Sequence, residues 1–158
     1  MDAPAGEVLL FRPKRLRVLA IVMSLTLSIV VVIGWFALPL RLRDAFTWSQ
    51  RLTLLALLGL LIFTMVAIAA SYVRADDSGI HLRNGLRSHS VDWSRVHKVM
   101  LRPGDPWAIL LLKPADGSPF EADLDAEKRQ LMGIQAGDGE AARHAVQALQ
   151  LRHRTITS

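Results

Sequence analysis

Val18–Leu40, VLAIVMSLTLSIVVVIGWFALPL, and Leu52–Val73, LTLLALLGLLIFTMVAIAASYV, are uncharged apolar runs of 23 and 22 residues, separated by eleven residues and bracketed by arginine. A helix rises about 1.5 Å per residue and the hydrocarbon core of a bilayer is about 30 Å thick, so about 20 residues cross it. Both runs are long enough, and together they read as a helical hairpin in a membrane. A buried helix of a soluble protein would carry polar residues at helical spacing along one side. Neither run does. Their most polar members, Ser24, Thr26 and Ser28 in the first and Thr53, Thr64 and Ser71 in the second, can bond back to the helix's own carbonyls.

The flanks agree. Trp35, Phe36, Phe46 and Trp48 gather at the hairpin end and Tyr72 closes the second run, where amphipathic rings favour the headgroup zone. Arg12, Lys14, Arg15 and Arg17 would suit a signal peptide, but its apolar region is only about 7 to 15 residues, and no A-x-A cleavage site lies between Trp35 and Leu40. The first run is therefore expected to stay as an anchor. Ser24 and Ser28 offer a small-residue face that could receive Gly59 or Ala56 of the second helix. The resulting division is an N-terminal segment (1–17), a first span (18–40), a short external loop (41–51), a second span (52–73) and a folded domain (74–158).

Seven basic residues lie close to the two outer ends of the hairpin: Arg12, Lys14, Arg15, Arg17, Arg74, Arg83 and Arg87. Three, Arg41, Arg43 and Arg51, lie in its loop. This bias places both termini on the cytoplasmic side of a cell membrane. The net charge of +5 does not signal nucleic acid, because from Tyr72 onward twelve Lys and Arg meet eleven Asp and Glu, while the first 51 residues carry seven basic against three acidic. The excess sits where topology and anionic headgroups require it. With no arginine stripe or aromatic stacking ladder, nucleic acid is not an expected partner. The absence of cysteine excludes disulfides, thiolate metal sites and a cysteine nucleophile.

The domain reads first as strands. Ile80–Arg83, the pair Asn84-Gly85 and Leu86–Trp93 form a hairpin signal, since Asn-Gly suits a two-residue type I′ turn. That register sets Arg83 opposite Leu86, Leu82 opposite Arg87 and Ile80 opposite His89. Ile80, Leu82, Val91 and Trp93 then share one face with Arg87 and His89, and His81, Arg83, Ser88, Ser90 and Asp92 share the other. A third strand is expected over Val96–Arg102, ending at Pro103-Gly104-Asp105-Pro106, and a fourth over Trp107–Leu112. Phe120, Ala122 and Leu124 alternate with acids as a fifth strand. Asp125–Leu131 is read as a helical turn and Gly133–Gly137 as loop. Asp138 is expected to cap a final helix from Gly139 to Arg152, buried through Ala142, Ala145, Val146, Leu149 and His153.

A small antiparallel sheet or open barrel closed by a C-terminal helix, directly after a membrane hairpin, resembles a bacterial pleckstrin-homology-like (PH-like) domain. The likeness rests on Phe11-Arg12-Pro13, on Tyr72-Val73-Arg74-Ala75-Asp76 leading into Gly79-Ile80, on Asn84-Gly85-Leu86-Arg87, and on Val91-Asp92-Trp93-Ser94-Arg95-Val96. Within that group the chain is similar to the actinobacterial membrane proteins of the low-molecular-weight antigen six PH domain family. The resemblance implies architecture rather than activity.

Pleckstrin-homology domains in general suggest headgroup binding by basic residues around the first hairpin. Here Arg83, Arg87 and Lys98 are the candidates, although the basic-x-Arg pair of phosphoinositide binders is missing. His81 and His89 fall on opposite hairpin faces and cannot share a metal; His144 and His153 lack the i, i+4 spacing that holds zinc. Asp76 and Asp77, as strand neighbours, point apart. No G-x-S-x-G elbow activates Ser88 or Ser90, and no glycine loop cradles phosphate. The expectation is a membrane-anchored, non-catalytic PH-like module without cofactor or metal, docking a protein partner; an anionic headgroup is the alternative ligand. An apolar groove between helix and sheet would favour the protein, and convergence of three basic side chains the headgroup.

Overall fold

In the computed structural model, which describes residues 7–118, 120 and 127–157, the chain divides into two compact units, one of Leu16–Ala69 and one built from the chain on either side of it. The inner unit holds most of α1 (Lys14–Ala37), a short α2 (Leu40–Ala45) and α3 (Trp48–Ala69). Helices α1 and α3 are long and apolar enough to cross a membrane, and only 6% of the most apolar stretch of each is buried. Neither is buried within this chain as a core helix would be.

Helix α1 stops two residues before Pro39, which has no N–H to donate and disfavours helix in the residue ahead of it. Residues 41–51, expected as loop, are largely helical: α2 occupies the first part and α3 begins at Trp48. The start of α3 is a capping box, with Gln50 Oε1 accepting from Thr47 N at 2.9 Å and Thr47 Oγ1 accepting from Gln50 N at 3.4 Å. Ser28, Thr53 and Thr64 donate to the carbonyls four residues back. Ser24 meets Met65 Sδ at 3.9 Å rather than Gly59, around which a Cβ would find open space.

The outer unit carries β1 (Leu9–Phe11), β2 (Tyr72–Asp76), β3 (Gly79–Asn84) and β4 (Arg87–Val91) as one antiparallel sheet in that order. A second antiparallel sheet contains β5 (Val96–Met100), β6 (Trp107–Leu112) and β7 (Lys128–Gln135), and α4 (Glu140–Thr157) follows. The first sheet thus takes its edge strand from ahead of the apolar hairpin and the rest from behind it. Leu9, Leu10 and Phe11 lie opposite Ala75, Arg74 and Val73. Leu9–Phe11, in the segment expected to be only a flank, are therefore part of the sheet, and Tyr72 and Val73, expected to end the second helix, are strand residues instead. Val73 is fully buried between Phe11 and Leu82, and that burial draws it out of the helix.

The first hairpin forms two residues out of the expected register: Asn84 lies opposite Arg87, Leu82 opposite His89 and Ile80 opposite Val91. Gly85 has φ 63°, no non-glycine residue among those described has positive φ, and the turn is Gly85-Leu86, with glycine first as a type II′ turn requires. A two-residue slip preserves the face of every side chain, so Ile80, Leu82, Val91 and Trp93 are buried together as expected. Asn84 is released for another task. Its Nδ2 donates to Gln130 O at 2.6 Å and its Oδ1 accepts from Met132 N at 3.2 Å, joining β3 to β7 across the two sheets.

Residues 128–135, expected as the end of a helical turn and the start of a loop, form one strand, while Asp125 and Ala126 lie outside the described residues. Lys128–Leu131 is strand rather than helical turn, and Gly133–Gln135 continues that strand. Gly133 is glycine because β7 crosses β2 there: a Cβ would stand 2.5 Å from Val73 N and 2.6 Å from Tyr72 C. The strand expected at Phe120–Leu124 lies outside the described residues except for Phe120, whose ring stacks on His97 at 3.6 Å. Asp138 does not cap α4; its Oδ1 accepts from Arg15 N at 3.1 Å. Helix α4 buries Ala142, Ala145, Val146 and Leu149 as expected, with Arg152 as the fifth member, while His153 is half-buried. Arg152 is 1% exposed and its Nη2 donates to Asp77 Oδ1 in the β2–β3 turn.

Candidate functional site

Arg83, Arg87 and Lys98 do not converge. Arg83 lies opposite Ser88 and Arg87 opposite Asn84, neighbouring pairs of one ladder, so the two side chains leave opposite faces of the sheet. Arg83 Nε donates to Gly85 O at 2.9 Å, which ties this guanidinium to its own turn. Lys98 belongs to the other sheet and is exposed on β5.

Three other basic residues do come together. Leaving β1, the chain passes Arg12, Lys14 and Arg15 along one side of a groove of about 460 Å3 between β1, β7 and the first half of α4. Its floor is apolar, formed by Leu10, Phe11, Ile134 and the small side chains of Ala141, Ala142 and Ala145. Alanine on successive turns of α4 keeps this groove open, because a larger side chain would fill it. Gln135 and Asp138 complete the rim, and the Asp138 contact with the Arg15 amide holds the chain in place as it leaves the strand. Gln135 Oε1 is buried with no partner among the described residues, so an acceptor at the edge of the groove is unused. The sequence reading missed this site because it depends on β1. The signal was there: Val8-Leu9-Leu10-Phe11 is an apolar run bounded by Glu7 and Pro13.

A second, smaller pocket of about 360 Å3 opens between β5 and the last turns of α4, lined by His97, Lys98, Val99, Gln150, His153 and Arg154. His153 stacks on the buried Trp93 with ring centroids 6.0 Å apart and planes at 27°. Burial and the nearby Lys113 ammonium hold its imidazole below the usual range, against the opposing pull of the Val96 and Trp93 carbonyls. Gln150 Nε2 donates to Val99 O at 2.7 Å across the floor.

Several other polar groups serve turns. The Ser78 hydroxyl and amide, with His81 beyond them, hold the Asp76 carboxyl below its ordinary value against a modest cost of burial. Ser94 does the same for Asp92 and Ser118 for Asp116. His81 bonds Ser90 Oγ at 3.0 Å and His89 stands on the opposite face. Among the described residues no three His, Asp or Glu side chains are grouped to hold a metal ion.

The chain is similar over 66 residues, at 38% identity, to tRNA (guanine(37)-N(1))-methyltransferase 1 of Vitis vinifera. The match takes in 37% of this chain and 11% of that protein, so the chain spans about a tenth of the length of the curated relative it matches. No solved structure matches significantly. The sequence profile described as Bacterial PH domain matches residues 71–152, which is β2 through the buried end of α4. Two antiparallel sheets, a C-terminal helix packed into their shared core and that match agree: the chain belongs to the bacterial PH domain family.

Proposed function

We propose that this chain is a membrane-anchored, non-catalytic interaction module that docks a protein partner at the cytoplasmic face of a cell membrane. The observation that carries the reading is the groove between β1, β7 and α4: an apolar floor flanked by Arg12, Lys14 and Arg15. Such a surface suits a segment of a partner that presents an apolar face and acidic side chains. Two further observations support the anchoring. Helices α1 and α3 expose nearly all of their apolar surface, and β1 and β2 are paired, so both outer ends of the hairpin meet in one sheet and belong on one side of a bilayer. The seven-to-three bias of basic residues favours the cytoplasm for that side.

A specific test places a photo-crosslinking amino acid at Leu10, inside the groove, or at Leu86, at the exposed turn, in native membranes. A discrete protein adduct from Leu10 that is absent from Leu86, and that Ala141→Arg removes by filling the groove, is the expected result. Equal adducts from both positions, or none from Leu10, would reject it.

An anionic lipid headgroup is the second reading, favoured by the convergence of Arg12, Lys14 and Arg15 rather than by Arg83, Arg87 and Lys98. Asp138 on the same rim weighs against it. Lipid in place of protein in the Leu10 adduct would reverse the ranking.

A further inference from the structure

We propose that the pocket between β5 and α4 is a binding site for a compact phosphate monoester anion, held by Lys98 and Arg154 and completed by His97 and His153. Six residues line it, four of them cationic or able to become so, and none is acidic. Lysine and arginine donors on opposite walls can share the oxygens of one phosphate through charge-assisted hydrogen bonds. Both side chains are exposed, and among the described residues neither is engaged in an ion pair that would compete for the anion.

The pocket's shape selects a compact group over a peptide strand. β5 is an edge strand, and an extended partner would need its outward carbonyls. The Gln150 amide already occupies the Val99 carbonyl, so a strand adding there would have to displace it, and a space of about 360 Å3 remains above it. Inside, His153 Nε2 is buried with no hydrogen-bond partner among the described residues. The groups around this ring are the Trp93 ring and carbonyl from the turn after β4, the Val96 carbonyl and His97 from β5, the Lys113 ammonium after β6, and Lys98 and Arg154 of the same pocket. All the charged ones are cationic or protonatable. The empty pocket therefore resists a proton on His153, and a bound dianion removes that resistance. Anion and proton are taken up together.

The experiment uses the full chain in nanodiscs of zwitterionic lipid, titrated with inorganic phosphate at pH 6 and pH 8 by calorimetry, with a parallel set of nanodiscs containing phosphatidic acid. Saturable phosphate binding is expected, tighter at pH 6, with Lys98→Ala and Arg154→Ala each weakening it by about tenfold or more. Both positions are exposed, and an unchanged melting temperature will show that the variants fold. Binding of phosphatidic acid with the same two dependences would identify a lipid as the source of the phosphate, and binding of inorganic phosphate alone a soluble ligand. Absence of saturable binding in both arms, or binding indifferent to both substitutions, overturns the proposal.

Discussion

Phe11 lies directly opposite Val73 in neighbouring antiparallel strands, although both apolar helices lie between them in the chain. The hairpin is an insertion into the connection between the first two strands of the sheet. A chain cut to begin near Tyr72 therefore lacks an edge strand, and with it the packing of Leu9 and Phe11 against the core.

That pairing makes the first prediction. Joining residues 7–13 through a short Gly-Ser linker to residues 71–157 should give a folded domain without the helices. The same domain beginning at Tyr72 should be weaker by about 2 kcal/mol or more, the value of burying two half-exposed apolar side chains. Urea midpoints measure the difference. Equal midpoints would mean that β1 contributes nothing to the fold.

Gly133→Ala should be among the most disruptive small substitutions in the domain. Its Cβ would collide with the β2 backbone, which cannot move aside as a side-chain end could, and a cost of about 3 kcal/mol or more is expected for forced overpacking. Gly137→Ala is the control. Its Cβ would come no closer than 3.9 Å to the end of Gln135, and with φ outside the left-handed region alanine should be neutral or stabilise by up to about 1 kcal/mol. Thermal melts of the pair decide between a close crossing and a loop glycine.

Gly133 also marks where the sequence stopped being informative. As a glycine near Gly137 and Gly139 it looked like loop, and only the proximity of β2, remote in the chain, turns it into a strand residue. Strand β1 escaped notice for a similar reason, since three apolar residues before a basic cluster have no visible partner until the sheet forms. Local signals fared better. Trp107–Leu112 was found to the residue, and the alternation around Ile80 and Leu82 identified the buried face even though the turn moved by one position and the register by two. Arg152 was unreadable as a core residue because arginine at the end of an amphipathic helix is ordinarily a solvated cation. Its burial depends on Asp77 in a distant turn.

Proton linkage at His153 gives the third prediction. The folded state holds its pKa down, so the unfolded chain binds a proton first as pH falls. The stability that depends on a neutral His153 is complete above the ordinary imidazole value of about 6.5 and is lost as pH drops from there toward the lower folded value. Melting temperature should fall between pH 7.5 and pH 5.5, and the slope should shrink in His153→Phe, which keeps a ring against Trp93. An unaltered slope in that variant would assign the dependence to other groups.

Trp93→Ala tests the hairpin core. The ring is 2% exposed and its Nε1 donates to Asp76 O at 2.7 Å, so truncation removes a large buried ring and leaves that carbonyl without its donor. A loss of about 3 to 5 kcal/mol is expected, enough to unfold a domain of ordinary stability. Trp93→Phe should retain part of the packing and lose the hydrogen bond, about 1 to 2 kcal/mol for that bond alone. A domain that melts at one temperature in all three forms would place Trp93 outside the core.

Asn84 permits a sharper test, because its two side-chain bonds have opposite polarity. Nδ2 gives a hydrogen to Gln130 O and Oδ1 receives one from Met132 N, so the amide substitutes for a strand residue between β3 and β7. Asn84→Ala loses both bonds and should cost about 1 to 3 kcal/mol. Asn84→Asp has nearly the same shape, keeps the acceptor for Met132 and sets a carboxylate oxygen against the Gln130 carbonyl. At neutral pH it should be at least as unstable as the alanine variant. When protonated, the same carboxyl can donate to Gln130 O, so its folded pKa is raised and stability returns as pH falls through that value. The difference from the native chain should therefore narrow toward pH 4, while the alanine difference stays constant. Parallel behaviour of the two variants across that range would show that the Asn84 amide makes no oriented contact with β7.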